Sequence, residues 1–468
     1  MIRKLFRSSS EAPVSSRRRP RKARPTVDVL ESRRLLASDF AFGFVASGGN
    51  LAFQVTGTGE ADTIALKQVG SSSYSVAAYQ TDSPDDASTK ETLTPSTIAL
   101  AKVALNLSPS ATFQGFIVRG MGGDDTIDGS TLRVGLTADG GAGDDIISGG
   151  LAADSIDGGA GVDVVNADHL DTSVKGGTGG ESVDEDGILH GDRVDFSSST
   201  GAVTFSNTDF EFVTGSSHDD TIKDTGYVGA ADYVVSISGG DGNDNIIGGG
   251  ADETIKGNAG NDLISGGTGS DRLDGGAGSD ALNYTDSKVG VIVNLTTASA
   301  SGGTATGDRF SGFEHVAGSG FADTLTGDGG NNVLDGFGGD DTLLGLAGSD
   351  ILIGQGGNDE LLGGADIDAL EGGTGDDFVS GGGGDDIVIQ DYAKVANFIA
   401  TRTPDGDKHY GQDGSDLYLF RNVPISDSNM VGDVVAALNG INDYLNEMTH
   451  ANAADYVASR DRVFLLRA

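Results

Sequence analysis

The chain has 468 residues, among them 76 glycines and no cysteine, and its 70 acidic residues against 30 basic ones give a formal net charge of −40. Without cysteine, neither a disulfide framework nor a thiolate metal site can form, and a charge this negative repels nucleic acid and anionic membranes while attracting cations. Because no apolar run reaches the roughly 18 residues that a bilayer requires, we expect no transmembrane helix.

Residues 1–38 are basic, unlike the rest of the chain, with 11 Lys and Arg against 3 Asp and Glu. A secretory signal needs an apolar stretch of about 7–15 residues behind its basic region, but the candidate stretch, Leu35–Ala46, is interrupted by Ser38 and Asp39. Leu30–Ala37 resembles the LEPR-x-LL motif at the N-termini of large bacterial surface and secreted proteins, with Ser32 in place of proline. We interpret residues 1–38 as a basic, disordered targeting segment.

The next segment, residues 39–136, is predicted to be rich in β-strand. Asn50–Thr56 alternates apolar and polar side chains as a half-buried strand does. Further strand candidates are Tyr74–Ala78 and Phe113–Val118. Two isolated repeat-like turns are Gly57–Ala65, with Asp62, and Gly120–Asp128, with Asp125. The phenylalanines expected in the strand core are Phe40, Phe42, Phe44 and Phe53. We interpret this segment as a β-helix-like entry domain and not as an independent catalytic domain.

Residues 137–390 consist largely of nine-residue units. Eight of them run without a gap from Gly318 to Ile389, each with Asp or Asn at its sixth position and Leu or Val at its eighth. Earlier units begin at Gly140, Gly149, Gly158 and Gly176, with a degenerate unit at Ala167, and at Gly239, Gly248, Gly257, Gly266 and Gly275. Spacers at 184–238 and 284–317 separate these blocks, and in each spacer a strand candidate, Phe210–Val213 or Phe313–Val316, leads into the next repeat.

Gly140–Ser148 and Gly372–Ser380 fit the pattern G-G-x-G-x-D-x-U-x, where U is a large aliphatic residue, at every position. The array therefore resembles the calcium-binding nonapeptide repeats of RTX (repeats-in-toxin) proteins. This resemblance implies an all-β fold, a parallel β-roll or β-helix solenoid in which two repeats make one turn and calcium ions lie between successive turns. It predicts multiple calcium ions whose carboxylate ligands are the sixth-position residues Asp125, Asp145, Asp154, Asp163, Asp220, Asp244, Asp262, Asp271, Asp280, Asp323, Asp341, Asp350, Asp359, Asp368, Asp377 and Asp386.

The residue types of the repeat also suit the binding of calcium. Calcium takes six to eight oxygen ligands from carboxylates and backbone carbonyls, and glycines at positions 1, 2 and 4 are expected to allow positive φ and to let carbonyls converge. We expect weak or empty sites where the sixth position departs from aspartate, at Asn332, Glu253, Glu181 and Thr172. The acids at position 5, which include Asp144, Asp340, Asp376 and Asp385, are interpreted as solvated surface residues.

The tail, residues 391–468, is predicted to be a C-terminal cap or a secretion region. Apolar residues at helical spacing predict a short amphipathic helix near 432–449. A last repeat-like unit, Gly411–Leu419, contains Asp416.

The sequence contains no H-E-x-x-H, no G-x-S-x-G and no phosphate-binding Gly-Lys-Ser/Thr. Burial of one leucine per unit cannot offset the entropy of ordering nine residues, so we expect calcium to drive folding where it is near millimolar, outside the cell. The sequence thus predicts an extracellular or cell-surface calcium-binding protein that is structural or adhesive, not an enzyme, with an unspecified cell-surface or matrix partner. The alternative is a secreted enzyme with an unrecognised catalytic site in residues 40–136 or 391–468, appended to the array.

Overall fold

The computed structural model describes residues 40–391, 411–413 and 417–421, apart from residues 48, 81–88, 106, 109, 178–181, 184–188, 208–209, 226–234, 376 and 385. Several predicted features lie outside the described residues: the targeting segment 1–38, Glu181, Asp416 and the helix near 432–449. Residue 39 is not described either.

The described residues are built almost entirely from short strands. The first nineteen are β1 Ala41–Ser47, β2 Asn50–Thr56, β3 Asp62–Gly70, β4 Ser73–Gln80, β5 Thr89–Leu93, β6 Phe113–Arg119, β7 Thr126–Asp128, β8 Gly135–Ala142, β9 Ile146–Ser148, β10 Ser155–Ala160, β11 Val164–Asn166, β12 Ser173–Gly177, β13 Ser182–Val183, β14 Leu189–His190, β15 Arg193–Asp195, β16 Thr204–Asn207, β17 Phe212–Thr214, β18 Thr221–Asp224 and β19 Ser236–Asp241.

The remaining strands continue the same pattern. They are β20 Asn245–Ile247, β21 Thr254–Ala259, β22 Leu263–Ser265, β23 Arg272–Ala277, β24 Ala281–Asn283, β25 Ile292–Asn294, β26 Ser299–Ser301, β27 Arg309–Ser311, β28 His315–Ala317, β29 Thr324–Thr326, β30 Val333–Asp335, β31 Thr342–Ala347, β32 Ile351–Ile353, β33 Glu360–Ala365, β34 Ala369–Glu371, β35 Phe378–Gly383, β36 Ile387–Asp391, β37 Gly411–Asp413 and β38 Leu417–Arg421. A helix, α1, spans Pro95–Ala104, and a 3-10 turn spans Gly303–Ala305.

These strands coil into a parallel β-solenoid of about 14 turns, which confirms the predicted fold class. Consecutive strands alternate between two sides, and each pairs in parallel with the strand one coil later, as β31 does with β33 (Thr342↔Glu360) and β32 with β34 (Ile351↔Ala369). The offset is eighteen residues, so two nonapeptides make one coil.

One side of the solenoid is a long sheet that runs from β5, β4 and β3 through β7 to β37. The other side is divided into a first short sheet, β1-β2-β6-β8-β10-β12, and a second short sheet, β16-β18-β20-β22-β24-β28-β30-β32-β34-β36-β38. β12 and β16 are not paired with each other, so the first spacer divides this side whereas the long sheet continues past it.

The core is a stack of aliphatic side chains inside the coil. Because successive residues of a strand point to opposite faces, a three-residue strand directs its middle residue, position 8 of the repeat, inward. Leu343, Leu352 and Leu361 are 0% exposed at this position. The neighbouring positions 7 and 9 point outward.

The N-terminal part closes the start of the solenoid with antiparallel pairing. β1 pairs with β2, and β3 pairs with β4, which pairs with β5. The helix α1, which the sequence analysis does not anticipate, packs Ile98 and Ala101 into the core. The phenylalanines of this part belong to the core as expected: Phe40 and Phe53 are buried, and Phe42 and Phe44 pack against them. No helix of the described residues is both long and apolar enough to cross a membrane.

Candidate metal centre

The sixth-position aspartate lies at the end of each turn, directly before the strand, with its side chain buried. One carboxylate oxygen, Oδ1, accepts a hydrogen bond from the backbone N–H of the sixth residue one coil earlier. The N–H of Asp323 donates to Asp341 Oδ1 (2.8 Å) and that of Asp341 to Asp359 Oδ1 (2.9 Å). Each aspartate therefore satisfies a buried backbone donor that the strand ladder does not reach.

These contacts form two columns along the solenoid. The long-sheet column precedes strands of the long sheet and contains Asp62, Asp125, Asp145, Asp163, Asp192, Glu211, Glu253, Asp271, Asp308, Asp323, Asp341, Asp359 and Asp377. The short-sheet column precedes strands of the two short sheets and contains Asp154, Asp171, Asp220, Asp244, Asp262, Asp280, Glu314, Asn332, Asp350, Asp368 and Asp386. The structure places all sixteen predicted ligands in these columns.

The second carboxylate oxygen, Oδ2, is buried and has no hydrogen-bond donor at Asp125, Asp145, Asp163, Asp244, Asp262, Asp271, Asp280, Asp341, Asp350 and Asp368. An ionised carboxylate can only accept, and burying a charge without a partner carries a large free-energy cost. A proton, a water molecule or a cation would satisfy each of these oxygens, and of these a divalent cation compensates the charge of the carboxylates most strongly.

A backbone carbonyl from the next coil converges on the same space. A Cβ added to Gly345, the first residue of its repeat, would clash with both Asp350 Oδ2 and the Gly363 carbonyl oxygen. The same holds at Gly363 for Asp368 Oδ2 and the Gly381 carbonyl oxygen. Glycine at position 1 therefore leaves room for two oxygens to approach each other.

The expectation of positive φ at position 1 is wrong. Gly140 has no positive φ, whereas Gly141 and Gly143, at positions 2 and 4, have φ of 115° and 131°. Space between coils, and not backbone handedness, is thus the reason for glycine at position 1.

The donor set fits calcium. Within the described residues no three acidic or histidine side chains converge on one point, so a site here combines single carboxylates of the columns with backbone carbonyls. Calcium accepts both kinds of oxygen in flexible geometry, whereas magnesium demands a near-ideal octahedron. The cation would be held by Oδ2 atoms such as those of Asp350 and Asp368, and it would supply the positive charge that the columns lack.

The raised pKa values of the column aspartates also favour a bound cation. Burial, followed by the charges of neighbouring carboxylates, raises the pKa of Asp341 to about 8 and that of Asp368 to about 7. Burial likewise raises the pKa of Asp125 and Asp244 to about 8. Near neutral pH and without a cation, these side chains hold protons that a divalent cation would displace.

The departures from aspartate behave differently from one another. Asn332 Nδ2 donates to the Glu314 carbonyl oxygen (3.3 Å), so a donor stands where other coils have an oxygen, in line with a weak site. Glu253 bends back to the N–H groups of Gly249 and Ala251 (both 3.2 Å) with Oε1, while Oε2 is buried without a donor. Burial, followed by the adjacent Asp271 carboxylate, raises the pKa of Glu253 above its ordinary value.

At Thr172, where we expect a weak or empty site, the column nevertheless contains a carboxylate. Asp171, one residue earlier, takes over the contact, because its Oδ1 accepts the N–H of Asp154 (2.9 Å). Burial raises the pKa of Asp171 to about 7. The column therefore keeps an acid at this turn, which a strict nine-residue count places at the wrong position.

Four members of the columns lie in the spacers and are missed by sequence reasoning. Glu211 Oε2 accepts the N–H of Asp192 (2.8 Å), and Glu314 Oε2 accepts that of Asp280 (2.9 Å). Asp308 Oδ1 accepts the N–H of Asp271 (3.0 Å). A signal was available, since each spacer contains Gly-Asp-Arg, at 191–193 and 307–309, and Phe-Glu-x-Val, at 210–213 and 313–316.

The position-5 acids are more than solvated surface residues. Asp340 Oδ1 accepts the N–H of Asn358 (2.8 Å), and Asp144 Oδ1 accepts that of Val162 (2.9 Å). Both aspartates are exposed, yet each ties its coil to the next in the direction opposite to the sixth-position bonds. Asp376 and Asp385 lie outside the described residues.

Comparison with known families locates the repeats independently. A family model described as RTX calcium-binding nonapeptide repeat (4 copies) matches residues 117–131, 137–168, 235–251, 247–282, 310–336, 317–352, 335–370 and 362–389. No curated protein matches the chain. The matched segments avoid most of both spacers, where the columns are continued by the residues that sequence reasoning misses.

Proposed function

Because residues 117–389 carry an array of RTX calcium-binding nonapeptide repeats, we propose that this calcium-binding repeat protein is secreted or displayed on the cell surface and that its solenoid folds on binding extracellular calcium. The observation that carries the proposal is the row of buried Oδ2 atoms without a donor. RTX repeat proteins are typically secreted, which supports the location.

The charge of the columns explains why folding would depend on the ion. Neighbouring coils are about 4.8 Å apart, and two unit charges at that spacing repel each other by about 3 kcal/mol at an effective dielectric constant of about 20. Without a cation, folding therefore requires that aspartates such as Asp244, Asp262 and Asp280 either bear this repulsion or take up protons, and both oppose folding near neutral pH. Sites with millimolar to submillimolar affinity are characteristic of extracellular modules and would fill after export.

A structural or adhesive role suits this architecture better than catalysis. The carboxylates of the two columns are stacked along the coil, each bonded to a backbone N–H, instead of facing one another across a cleft. The solenoid presents two extended sheet faces, whose outward side chains change from coil to coil while the core remains constant. Repeat proteins of this kind bind along such extended surfaces.

The test compares the chain in chelator, calcium and magnesium by far-ultraviolet circular dichroism. We expect β signal in calcium, little in chelator at pH 7.5, and no equivalent recovery in magnesium. Asp244→Asn with Asp262→Asn should raise the calcium concentration needed for folding. Asp139→Asn with Asp241→Asn, which removes the same charge from exposed strand positions, serves as the matched control.

An unchanged β signal in chelator would defeat the folding proposal. Fractionation of cells that make the intact chain tests the location separately, and accumulation of the protein inside the cell would contradict secretion or surface display.

A further inference from the structure

The outer face of the long sheet carries two arginines on neighbouring strands. Arg272 in β23 is in register with Arg309 in β27, so their backbones are about 4.8 Å apart, and both side chains are exposed. The adjoining strand β21 holds Thr254 at the equivalent position, and the later strands β29 and β31 hold Thr324 and Thr342 there. Like charges directly opposite each other destabilise a sheet, so sheet stability does not account for the pair.

Neither guanidinium has a protein partner in the described part of the chain. The single ion pair found there joins Lys175 to Asp157. Asp274, the acid on the same face of β23, accepts the hydroxyl of Ser311 with its Oδ1 (2.9 Å). Both arginines therefore present their donors to solvent.

Arg193 provides the internal contrast. It follows the same Gly-Asp sequence in the first spacer and is also exposed, but its guanidinium carbon lies 3.9 Å from the centroid of the Phe212 ring. This cation–π contact engages Arg193 with its own sheet. The same Gly-Asp-Arg sequence thus gives an arginine with a cation–π partner in the first spacer and, in the second spacer, an arginine with no partner among the described residues.

We propose that Arg272 and Arg309 bind the carboxylate or sulfate groups of an acidic polysaccharide. A guanidinium presents a planar fork of donors that matches such oxyanions. Lys256, exposed on the adjacent strand β21, lies opposite Asp274 and diagonal to Arg272, so the basic side chains outnumber the acid on this part of the face. An open, flat face cannot enclose a small anion, so useful affinity requires repeated contacts along one polymer.

The overall charge selects against denser polyanions. Duplex DNA carries one charge per about 1.7 Å, and a chain of net charge −40 repels it over the Debye length. A polymer with more widely spaced charges meets the arginine pair with less repulsion. Asp271 and Asp308 precede the two arginines in the long-sheet column, so calcium bound there would reduce the local negative potential. This effect of calcium rests on the proposed function, whereas the presence of the arginine pair does not.

Binding is measured by biolayer interferometry in excess calcium at physiological ionic strength. The probes are polygalacturonate, chondroitin sulfate, neutral dextran and a duplex DNA oligonucleotide. Arg272→Thr with Arg309→Thr places the residue found on neighbouring strands at both sites. Arg193→Thr with Lys223→Thr is the matched control, because it removes the same charge from exposed positions.

The arginine-pair variant should bind the two acidic polysaccharides about tenfold more weakly than the wild type, since each exposed charged contact contributes a factor of up to about five. The control should stay within about twofold. Equal loss in the control, no binding to either acidic polysaccharide, or equal binding to DNA would each overturn the proposal. Circular dichroism of the same samples shows whether the chain is folded in calcium, so failure of this inference is distinguishable from failure of calcium-dependent folding.

Discussion

Replacing one column aspartate with asparagine should have opposite effects in chelator and in calcium. Asp368 accepts the N–H of Asp350 with Oδ1 (2.8 Å), and an asparagine oxygen can keep that bond. Its Oδ2, buried and without a donor, faces the space beside Gly363 that the Gly381 carbonyl also enters. Asp368→Asn places a neutral amide donor there.

The magnitude without metal follows from the pKa. Burial raises the pKa of Asp368 from 3.8 to about 7, so the side chain favours the folded state fully below pH 4, and this contribution is lost as the pH rises through 7. The shift corresponds to about 4 kcal/mol for a fully enclosed group, and we discount it to about 2 kcal/mol for solvent screening. In chelator at pH 8, Asp368→Asn should therefore be about 2 kcal/mol more stable than the wild type, with no difference at pH 4.

In excess calcium the sign should reverse. An amide hydrogen in place of an anionic ligand repels the cation, and a tenfold loss of affinity at one site corresponds to about 1.4 kcal/mol. In calcium, urea unfolding followed by circular dichroism measures the stability. In chelator, where the wild type has little β signal near neutral pH, the measurement is the pH midpoint at which β signal appears on acidification, and Asp368→Asn should move that midpoint to higher pH. Glu360→Gln, which removes an exposed charge from the outward face of β33, should change neither by more than about 0.5 kcal/mol. A variant that is destabilised equally in chelator and in calcium would refute the assignment of Oδ2 to the cation.

The other predictions address pH, an altered site, the core and the backbone. In chelator, the chain should gain β signal as the pH falls from 8 to 5, because burial raises the pKa of carboxyls such as Asp341, to about 8, and their contribution to stability is lost as the pH rises through that value; stronger signal at pH 8 would contradict this. Asn332→Asp should increase the calcium stoichiometry measured by isothermal titration, since an oxygen replaces the amide donor, and an unchanged stoichiometry would exclude a site there. Leu352→Ala, at a residue 0% exposed, should lower stability in calcium by about 2–5 kcal/mol in chemical denaturation, and a loss below about 1 kcal/mol would show that the coil collapses around the gap. Leu346→Gly should raise the melting temperature and stabilise by about 1 kcal/mol, because Leu346 has φ of 79° and left-handed backbone is costly for a side chain with Cβ; a lower melting temperature would count against backbone strain at this turn.

Much of the candidate site follows from the periodicity of the sequence. Two nine-residue units make one coil, so residues eighteen apart, such as Asp350 and Asp368, are neighbours by local geometry alone. The aliphatic residue at position 8 is buried for the same reason, because it is the middle residue of a three-residue strand. These relations need no knowledge of distant contacts.

The spacers are where this reasoning stops. Glu211 and Glu314 enter the columns only because their strands, β17 and β28, rejoin the sheets in register with the neighbouring coils. Their longer side chains then reach the N–H groups of Asp192 and Asp280 with Oε2. Asp171 replaces Thr172 through a one-residue shift that the repeat pattern does not contain.

The sequence by itself determined the solenoid, the two residues per repeat that build its core and columns, and the kind of cation they suit. Its information is local and periodic, and a coil of eighteen residues converts such a period directly into contacts. Only the tertiary structure decided which spacer acids join the columns, that Asn332 presents a donor, and that Arg272 lies beside Arg309. Those outcomes depend on how the non-repeating spacers pack against the regular coils. Arg272 and Arg309 are 37 positions apart, which is not a multiple of the nine-residue repeat, so the periodicity of the sequence does not predict their contact.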